Sequence, residues 1–582
     1  MASWRDAILN QFVPQVSMLT LVADPDGLLA EEKLALALRE RGFDLIEFND
    51  AVEFRYAYES NYRSRWDLTG HTDLMVILRL QDTELAGLPY DLLQAGRKLS
   101  FNLGDIFPNL SYPVIEQLDR SLLDTLYAAQ CKSPPDRLGN NATRDLILRQ
   151  VFGIAAELIA TEVELLRALL RLHYGGPRMP PLLAERLIQV LNQREAFRTW
   201  PLATLVADGE AFFAFLQERW PLFLATLDKA AEVRDEASFT PRYAGPRHLP
   251  FAHEDIRVYI DNLFLEGKLT PVEISGIQVD PGNWFRSGIA SALGDEEERR
   301  VARLFDLVEG ELPQADARYP DWIAFALKWA ELCALVHCGT SLEHQTRLSD
   351  MGDVLNRTFA GWLDAHYASL INLPPTTPVM PHQVARRLAR DLEDSAAGRA
   401  ALILVDGLAL DQWVTIRQFL GKRNPHLVMR ESALFAWIPT LTAVSRQALF
   451  SGKPPLYFPS SIQATHGEEK LWRQFWEGHG LSRLDVAYRR GLGDGDASSL
   501  VDNLIHPGKT RVVGLVVDKV DKIMHGMQLG SAGMHNQIKQ WCQAGFLAEL
   551  IDHLLDHGYQ VWLTADHGNI QCTGLGRPAV KG

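Results

Sequence analysis

Unbroken apolar runs that end in a carboxylate recur in the last third of the chain. Residues 401–405 and 512–517 contain no polar side chain, and each run is followed directly by an Asp. Such runs are typical of central strands in a parallel sheet, because helices cover both faces of those strands. The segment 557–564 predicts a turn that leads into a third buried strand, and Asp566 follows it.

A helix is predicted between the first two runs. The segment 435–439 is extended as far as Pro439, a hydroxyl residue then opens a helical pattern, and Gly452 closes it. Small hydroxyl residues at helix starts and glycine at helix ends are the usual boundary signals. The last third of the chain is therefore predicted to be an α/β domain with a mostly parallel sheet.

The rest of the chain has two other patterns. Residues 1–135 alternate strand candidates (16–23, 43–48 and 73–80) with helices, which indicates a small α/β domain with a parallel sheet. Residues 140–385 are apolar at helical spacing, which predicts a helical middle domain. The proline-rich segment 374–381 is a predicted linker before the last domain, residues 395–582.

An acidic group follows the first strand candidate and has two interpretations. Asp24, Asp26, Glu31 and Glu32 could hold a cation, or they could cap helices and form a solvated helix face. We expect the second, with Asp26 as the cap of the helix that ends before Gly42.

Composition narrows the class of protein. The chain has 582 residues, 47% of them hydrophobic and 23% charged, with a net charge of −15. The negative net charge argues against general binding of nucleic acid over the whole surface, although it is compatible with a local basic groove. The five cysteines are too few and too scattered for a disulfide framework, and no run approaches the length of a membrane span. We expect a soluble cytoplasmic protein that does not bind membranes.

The candidate chemistry lies at the strand ends. Asp406, Asp566 and His567 each follow a predicted strand, and Asp521 and His525 are four residues apart after another. Parallel strands place their carboxyl ends at one edge of a sheet, where ligands of such folds bind. Carboxylate oxygen and imidazole nitrogen are ligands of Zn²⁺ and Mn²⁺.

The order of these motifs resembles the alkaline phosphatase superfamily, and within it the PglZ family of bacterial BREX phage-defence systems. The matching motifs are Val405-Asp406-Gly407, Pro439-Thr440-x-Thr442-x-x-Ser445-Arg446, Asp521-x-x-x-His525 and Asp566-His567-Gly568. The stretches 24–29 and 101–107 also look like those of PglZ proteins. The resemblance implies an alkaline-phosphatase-like catalytic domain at the C-terminal end of the chain.

The resemblance also implies roles for these residues. One divalent cation would be held by Asp406, Thr442, Asp566 and His567, and a second by Asp521 and His525. The cations would be zinc, or alternatively manganese. Thr442 would be the nucleophile, and Arg446, one helical turn later, would contact a phosphate oxygen. Thr440 is the competing nucleophile, and Asp518 competes with Asp521 as a ligand.

One departure from the family concerns a further histidine. Family members supply another His ligand to the first cation after the Asp-His-Gly motif, whereas residues 569–582 contain none. The expectation is that this chain is truncated, that its ligand is missing, or that another histidine substitutes for it.

The predicted function is metal-dependent hydrolysis of a phosphodiester or phosphomonoester within a BREX defence system, with DNA or a nucleotide as a candidate substrate. Other BREX proteins are the expected partners. The alternative is a catalytically impaired scaffold that binds defence proteins or DNA. A phosphate-transferring mutase is a third option, but no feature of the helical segment supports it.

Overall fold

The computed structural model describes most of the chain. The described residues are 3–48, 51–63, 66, 72–78, 85, 88–227, 241–272, 283–290, 295–339, 341–371, 373, 378–394, 398–459, 461–462, 464–465, 467–506, 508–527 and 530–572. They form two compact units: residues 1–310 with 428–430, and residues 311–427 with 431–582.

The first unit contains a parallel four-stranded sheet and many helices. Its strands are β1 (Leu19–Ala23), β2 (Phe43–Phe48), β3 (Asp73–Leu78) and β4 (Arg97–Ser100), in the order β2-β3-β1-β4. Its helices α1 to α14 are, in order, Trp4–Leu9, Glu32–Glu40, Ala51–Tyr58, Tyr90–Ala95, Leu103–Ile106, Tyr112–Ile115, Leu123–Lys132, Asn140–Gln150, Glu162–His173, Pro181–Leu191, Leu202–Ala207, Gly209–Leu227, Glu254–Leu265 and Asp295–Gly310.

The three strands predicted in this unit are confirmed, and β4 was missed. The sequence of β4, Arg-Lys-Leu-Ser, is short and polar, and its side chains alternate between half-buried and exposed. A strand of this kind has little apolar pattern to detect, because it lies at the edge of the sheet.

The acidic group after β1 caps helices, as expected. Asp24 accepts hydrogen bonds from two backbone N–H groups of the short 3₁₀ helix Leu28–Ala30, at 2.8 and 2.9 Å. Glu31 caps α2 by accepting from the N–H of Leu34 at 2.9 Å. These bonds satisfy helix-end donors that would otherwise lack partners.

The remaining predictions for this acidic group were wrong. Asp26 accepts from the backbone N–H of Leu103 at 2.6 Å rather than capping α2. Glu31 and Glu32 are each 2% exposed, so they do not form a solvated helix face. Glu31 is buried against the guanidinium of Arg5, which donates to it at 2.7 Å.

The second unit contains a parallel sheet of its own. Its strands are β5 (Ala400–Val405), β6 (Val486–Leu492), β7 (Val512–Val517) and β8 (Gln560–Thr564). Its helices α15 to α24 are, in order, Tyr319–Cys338, Leu342–Leu370, His382–Asp394, Leu410–Arg423, Thr442–Ser451, Glu468–Gly478, Ala497–Leu504, Lys519–His525, Gly530–Ala544 and Phe546–Asp556.

Strand order in the second unit is β6-β7-β5-β8, and all neighbouring strands are parallel. Every residue of β5 and β7 is buried, which confirms the prediction of central strands from their apolar runs. The prediction that the strand before Asp566 is buried was wrong, because β8 lies at the edge of the sheet and its residues are half-buried or exposed. Val405 pairs with Val517, and Leu404 pairs with Thr564. Because the strands are parallel and in this register, the residues after β5, β7 and β8 leave the sheet at the same edge.

The mixed α/β class predicted for the chain is confirmed in these two parallel sheets and their helices. The division into three domains, 1–135, 140–385 and 395–582, stays a prediction. The boundary between the compact units at residue 310 falls within the predicted helical domain. In the first unit, one cluster of buried side chains runs from Trp4 to Ile289. Residues 374–377 of the predicted linker lie outside the described residues.

Among the described helices, none combines the length and apolar character that crossing a membrane requires.

Candidate metal centre

The turns that follow β5 and β8 bring two carboxylates and an imidazole together. Asp406 follows β5 directly, and Asp566 and His567 come two and three residues after the end of β8. One ligand atom from each of the three side chains lies within 4.8 Å of the others. Asp406 is 5% exposed and Asp566 is 0% exposed, so both carboxylates are removed from water. In the described part of the chain, this group has the composition and spacing to hold a cation.

Backbone donors fix one oxygen of Asp566 and leave the other without a partner. Asp566 Oδ1 accepts from the N–H groups of Gly407 and His567, each at 3.0 Å. Gly407 has φ +71°, a left-handed conformation that favours glycine. Asp566 Oδ2 and Asp406 Oδ1 are buried and have no hydrogen-bond partner. Two buried carboxylate oxygens without donors are costly unless a cation neutralises them, so this donor set fits a divalent metal.

The imidazole of His567 is held in the orientation that a metal ligand needs. Its Nδ1 lies 2.8 Å from the carbonyl oxygen of Gly568, to which it can donate a hydrogen bond. Its Nε2 lies 3.5 Å from Asp566 Oδ2 and 3.9 Å from Asp406 Oδ1. When Nδ1 carries the proton, Nε2 keeps its lone pair and can act as a ligand atom near both unpartnered oxygens.

Thr442 reaches this group from the first turn of α19. Its Oγ1 lies 3.0 Å from His567 Nε2. Helix α19 begins at Thr442 and ends before Gly452, which has φ +66°, as the sequence predicted. Thr440, the competing nucleophile, is exposed. Of the two threonines, Thr442 is the one whose hydroxyl contacts the candidate metal ligands.

Asp521 and His525 contact each other on helix α22. His525 Nε2 lies 3.3 Å from Asp521 Oδ1, as their spacing on a helix predicts. Asp521 borders the site, because its Cα and Cβ lie 3.9 Å from the position that a Cβ on Gly407 would occupy. The His525 side chain, however, is 75% exposed. Within the described residues, the pair is not gathered into a group of three metal-ligand side chains.

Arg446 lies one helical turn after Thr442 and contacts carboxylates. Its Nη1 donates to Asp406 Oδ2 at 3.0 Å and lies 3.9 Å from Asp518 Oδ1. Its Nη2 donates to Glu468 Oε2 at 2.6 Å. The predicted contact between Arg446 and a phosphate stays a prediction. Asp518, the competing ligand, lies beside Arg446 instead of in the group of three.

The sequence analysis did not identify four residues that contact the site. Glu468 accepts from Arg446 and also from the Tyr488 hydroxyl at 2.6 Å. Asn569 donates to the carbonyl oxygen of Gly407 at 2.6 Å, and Gln412 donates to Asn569 Oδ1 at 2.8 Å. These amides connect the turn after β8 to the turn after β5. Their role depends on contacts between distant segments, so no local pattern indicates it.

Electrostatics at the site work against two ionised carboxylates. Burial, and after it the neighbouring charge of Asp566, raise the pKa of Asp406 to about 7. Arg446 opposes this increase but does not cancel it. Burial also raises the pKa of Asp518. The site therefore favours the binding of positive charge.

These features define an α/β domain with acidic residues and an imidazole at the carboxyl edge of a parallel sheet, next to a helix that begins with a hydroxyl residue. Residues 384–581 match the family model described as the BREX system PglZ alkaline phosphatase-like domain. The predicted resemblance to the PglZ family is confirmed for these residues. A search of curated proteins found no match.

We expect Asp406→Asn to stabilise the metal-free protein at pH 7.5. The folded-state pKa of about 7 exceeds the ordinary value of 3.8, so the folded protein holds a proton that the unfolded chain releases between about pH 4 and pH 7. This contribution to stability is present at acid pH and is lost as the pH rises through 7. Asn cannot ionise, so Asp406→Asn avoids this loss of stability and should raise the free energy of unfolding by on the order of 2 kcal/mol at pH 7.5.

Thermal unfolding in chelator at pH 5.0 and pH 7.5 measures this effect. The advantage of Asp406→Asn over the wild type should grow with pH. Asp353→Asn, at an exposed position of α16, is the matched control and should change little at either pH. A destabilised Asp406→Asn protein at pH 7.5 would contradict the electrostatic account.

Cation binding should release a proton near neutral pH. Because Asp406 must lose its proton to become a ligand, the apparent affinity should fall as the pH drops below about 7. Titration calorimetry of Zn²⁺ or Mn²⁺ in two buffers of different ionisation enthalpy counts the protons released. We expect more release at pH 6 than at pH 8, and a smaller difference in Asp406→Asn. Equal proton release at both pH values in the wild type would rule out the raised pKa.

Proposed function

We propose that the PglZ domain is a divalent-cation-dependent phosphoesterase that hydrolyses a phosphodiester or phosphomonoester. The observation that carries this proposal is the grouping of Asp406, Asp566 and His567, with two unpartnered carboxylate oxygens, beside the Thr442 hydroxyl. Phosphoryl transfer depends on positioning and on neutralising charge, and this group has the residues for both.

Thr442 is the proposed nucleophile. A divalent cation held by Asp406, Asp566 and His567 would place positive charge beside the hydroxyl and favour its alkoxide form. Attack by Thr442 Oγ1, which loses its proton to solvent, forms an O–P bond as the bond from phosphorus to the leaving oxygen breaks, and the leaving oxygen takes a proton from solvent to become the alcohol. Water then displaces Thr442 from phosphorus and releases the phosphate product. Thr442 opens α19, where the unpaired N–H groups of a first helical turn favour phosphoryl oxygens.

Zinc is the proposed cation and manganese the alternative, since both accept carboxylate and imidazole ligands. Asp521 and His525 are the proposed ligands of a second cation. Asp521 borders the first group, and His525 contacts Asp521, so these two side chains would hold the second cation.

The proposed biological setting is a cytoplasmic BREX-type defence system, with other BREX proteins as partners. The support is the family match of residues 384–581. DNA or a nucleotide is the proposed substrate, because both carry the phosphodiester or phosphomonoester that this chemistry requires. Because the net charge is −15, a nucleic acid would bind at one local patch of the surface, since most of the surface repels its phosphates.

A second candidate function is a scaffold that binds defence proteins or DNA without turnover. The exposed His525 side chain favours it, because this residue does not join the other ligands. The contact of Arg446 with Asp406 also favours it, since the protein supplies a positive charge of its own to that carboxylate.

Thr442→Ala should abolish hydrolysis of aryl phosphate monoesters and diesters, with a loss of at least about a hundredfold in kcat. The loss follows from removal of the attacking oxygen. The assay measures release of the aryl alcohol with added Zn²⁺ or Mn²⁺ and again with chelator. Thr440→Ala, two residues away and exposed, is the matched control and should retain turnover.

The outcomes separate the two functions. Turnover that requires the cation and disappears in Thr442→Ala supports the enzyme. Wild-type rates in Thr442→Ala would reject Thr442 as the nucleophile. A wild-type protein that binds the cation but turns over neither ester class would favour the scaffold.

A further inference from the structure

The guanidinium of Arg446 is buried among three carboxylates. Arg446 is 5% exposed, and its Nη1 is 3.0 Å from Asp406 Oδ2 and 3.9 Å from Asp518 Oδ1. Its Nη2 is 2.6 Å from Glu468 Oε2. A guanidinium at this depth is stable only when carboxylates compensate its charge. Arg446 therefore acts as an internal cation of the site.

Arg446 and the candidate metal position use different oxygens of Asp406. Oδ2 accepts from Arg446, whereas Oδ1 has no hydrogen-bond partner and faces His567 Nε2 at 3.9 Å. Arg446 can therefore stay in place while a cation binds Oδ1. Its hydrogen bond to Oδ2 fixes the rotation of the carboxylate and keeps Oδ1 directed toward His567.

Glu468 has no place in the proposed chemistry, yet it is more deeply buried than Asp406. It opens helix α20 rather than following a strand, and it is 1% exposed. Its Oε2 accepts from Arg446 and from the Tyr488 hydroxyl, both at 2.6 Å. Burial and the charge of Glu468 raise the pKa of Tyr488, so the phenol keeps its proton and donates it. Glu468 is thus held in one position against Arg446.

The charge of Glu468 matters because Arg446 lies next to the metal ligands. A guanidinium that is not neutralised would repel a divalent cation bound to the same carboxylate. Glu468 supplies the compensating negative charge at Nη2, the terminal nitrogen of Arg446 that does not donate to Asp406. The protein can then use Arg446 to orient Asp406 without loss of cation affinity.

We propose that Arg446 and Glu468 are a buried positioning pair that sets the cation affinity of the site. Arg446 orients Asp406, and Glu468, held by Tyr488, cancels the repulsion between Arg446 and the cation. This inference rests on the proposed metal-dependent function. It gives Arg446 a role that does not need contact with a phosphate.

The test measures the dissociation constant of Zn²⁺ or Mn²⁺ alone by titration calorimetry. Glu468→Gln keeps the shape of the side chain and removes its charge, so Kd should rise about tenfold. The double variant Arg446→Gln with Glu468→Gln removes both charges and the repulsion with them, so its Kd should fall below that of Glu468→Gln; the rise that remains over the wild type measures the lost orientation of Asp406. Glu469→Gln is the matched control, because it removes the same charge at the next residue of α20, where the side chain is exposed and pairs with Arg473; it should change Kd less than about twofold.

Thermal unfolding in chelator shows whether each variant is folded. If Glu468→Gln does not fold, Arg446→Gln replaces it, because loss of the positive charge alone should give tighter cation binding than the double variant. Wild-type affinity in Glu468→Gln would overturn the inference. So would a double variant that binds as weakly as Glu468→Gln, because the pair would then have a structural role alone. A wild-type protein that binds no cation would instead reject the proposed function.

Discussion

The candidate site of the second unit is built around an unfavourable interaction between two buried carboxylates. Asp406 and Asp566 lie next to each other after β5 and β8, and each has one oxygen without a hydrogen-bond partner. Such an arrangement raises the free energy of the folded, metal-free protein, because burial and like charge both oppose ionisation. Groups of this kind persist in proteins where they bind a ligand or take part in chemistry. A bound cation would convert the same two groups from a destabilising pair into ligands.

The surrounding contacts hold this pair in place. Two backbone N–H groups fix Asp566 Oδ1, and the side chains of Asn569 and Gln412 hold the two turns together. On the other side, Arg446 binds Asp406 Oδ2 and Glu468 compensates its charge. Each carboxylate thus presents one fixed oxygen to the protein and one open oxygen to the site. This division allows buried acids to be both rigid and available to a cation.

The sequence predicted the parts of the site that lie next to a regular pattern. Asp406 and Asp566 follow apolar strands, and Thr442 opens a helix with clear boundary signals, so local rules located them. The spacing of Asp521 and His525 correctly indicated contact on one helix, but it could not predict that His525 would face solvent. Glu468 and Tyr488 could not be predicted, because no local pattern in helix α20 or in edge strand β6 indicates that either side chain lies near Arg446. What unites them is burial against Arg446, which depends on tertiary packing. For the same reason the sequence underestimated the burial of Glu31 and Glu32 in the first unit.

The central claim is that Asp406, Asp566 and His567 form one tight cation site at the edge of the sheet. Metal content after dialysis against trace Zn²⁺ or Mn²⁺, measured by elemental analysis per mole of protein, tests it most directly. The account predicts about one tightly held ion per chain in the wild type, because one group of ligands is assembled in the described residues. It also predicts that the ion is lost in Asp566→Ala and retained in His525→Ala. A wild-type protein that retains no ion, or an Asp566→Ala protein that retains it, would contradict the account.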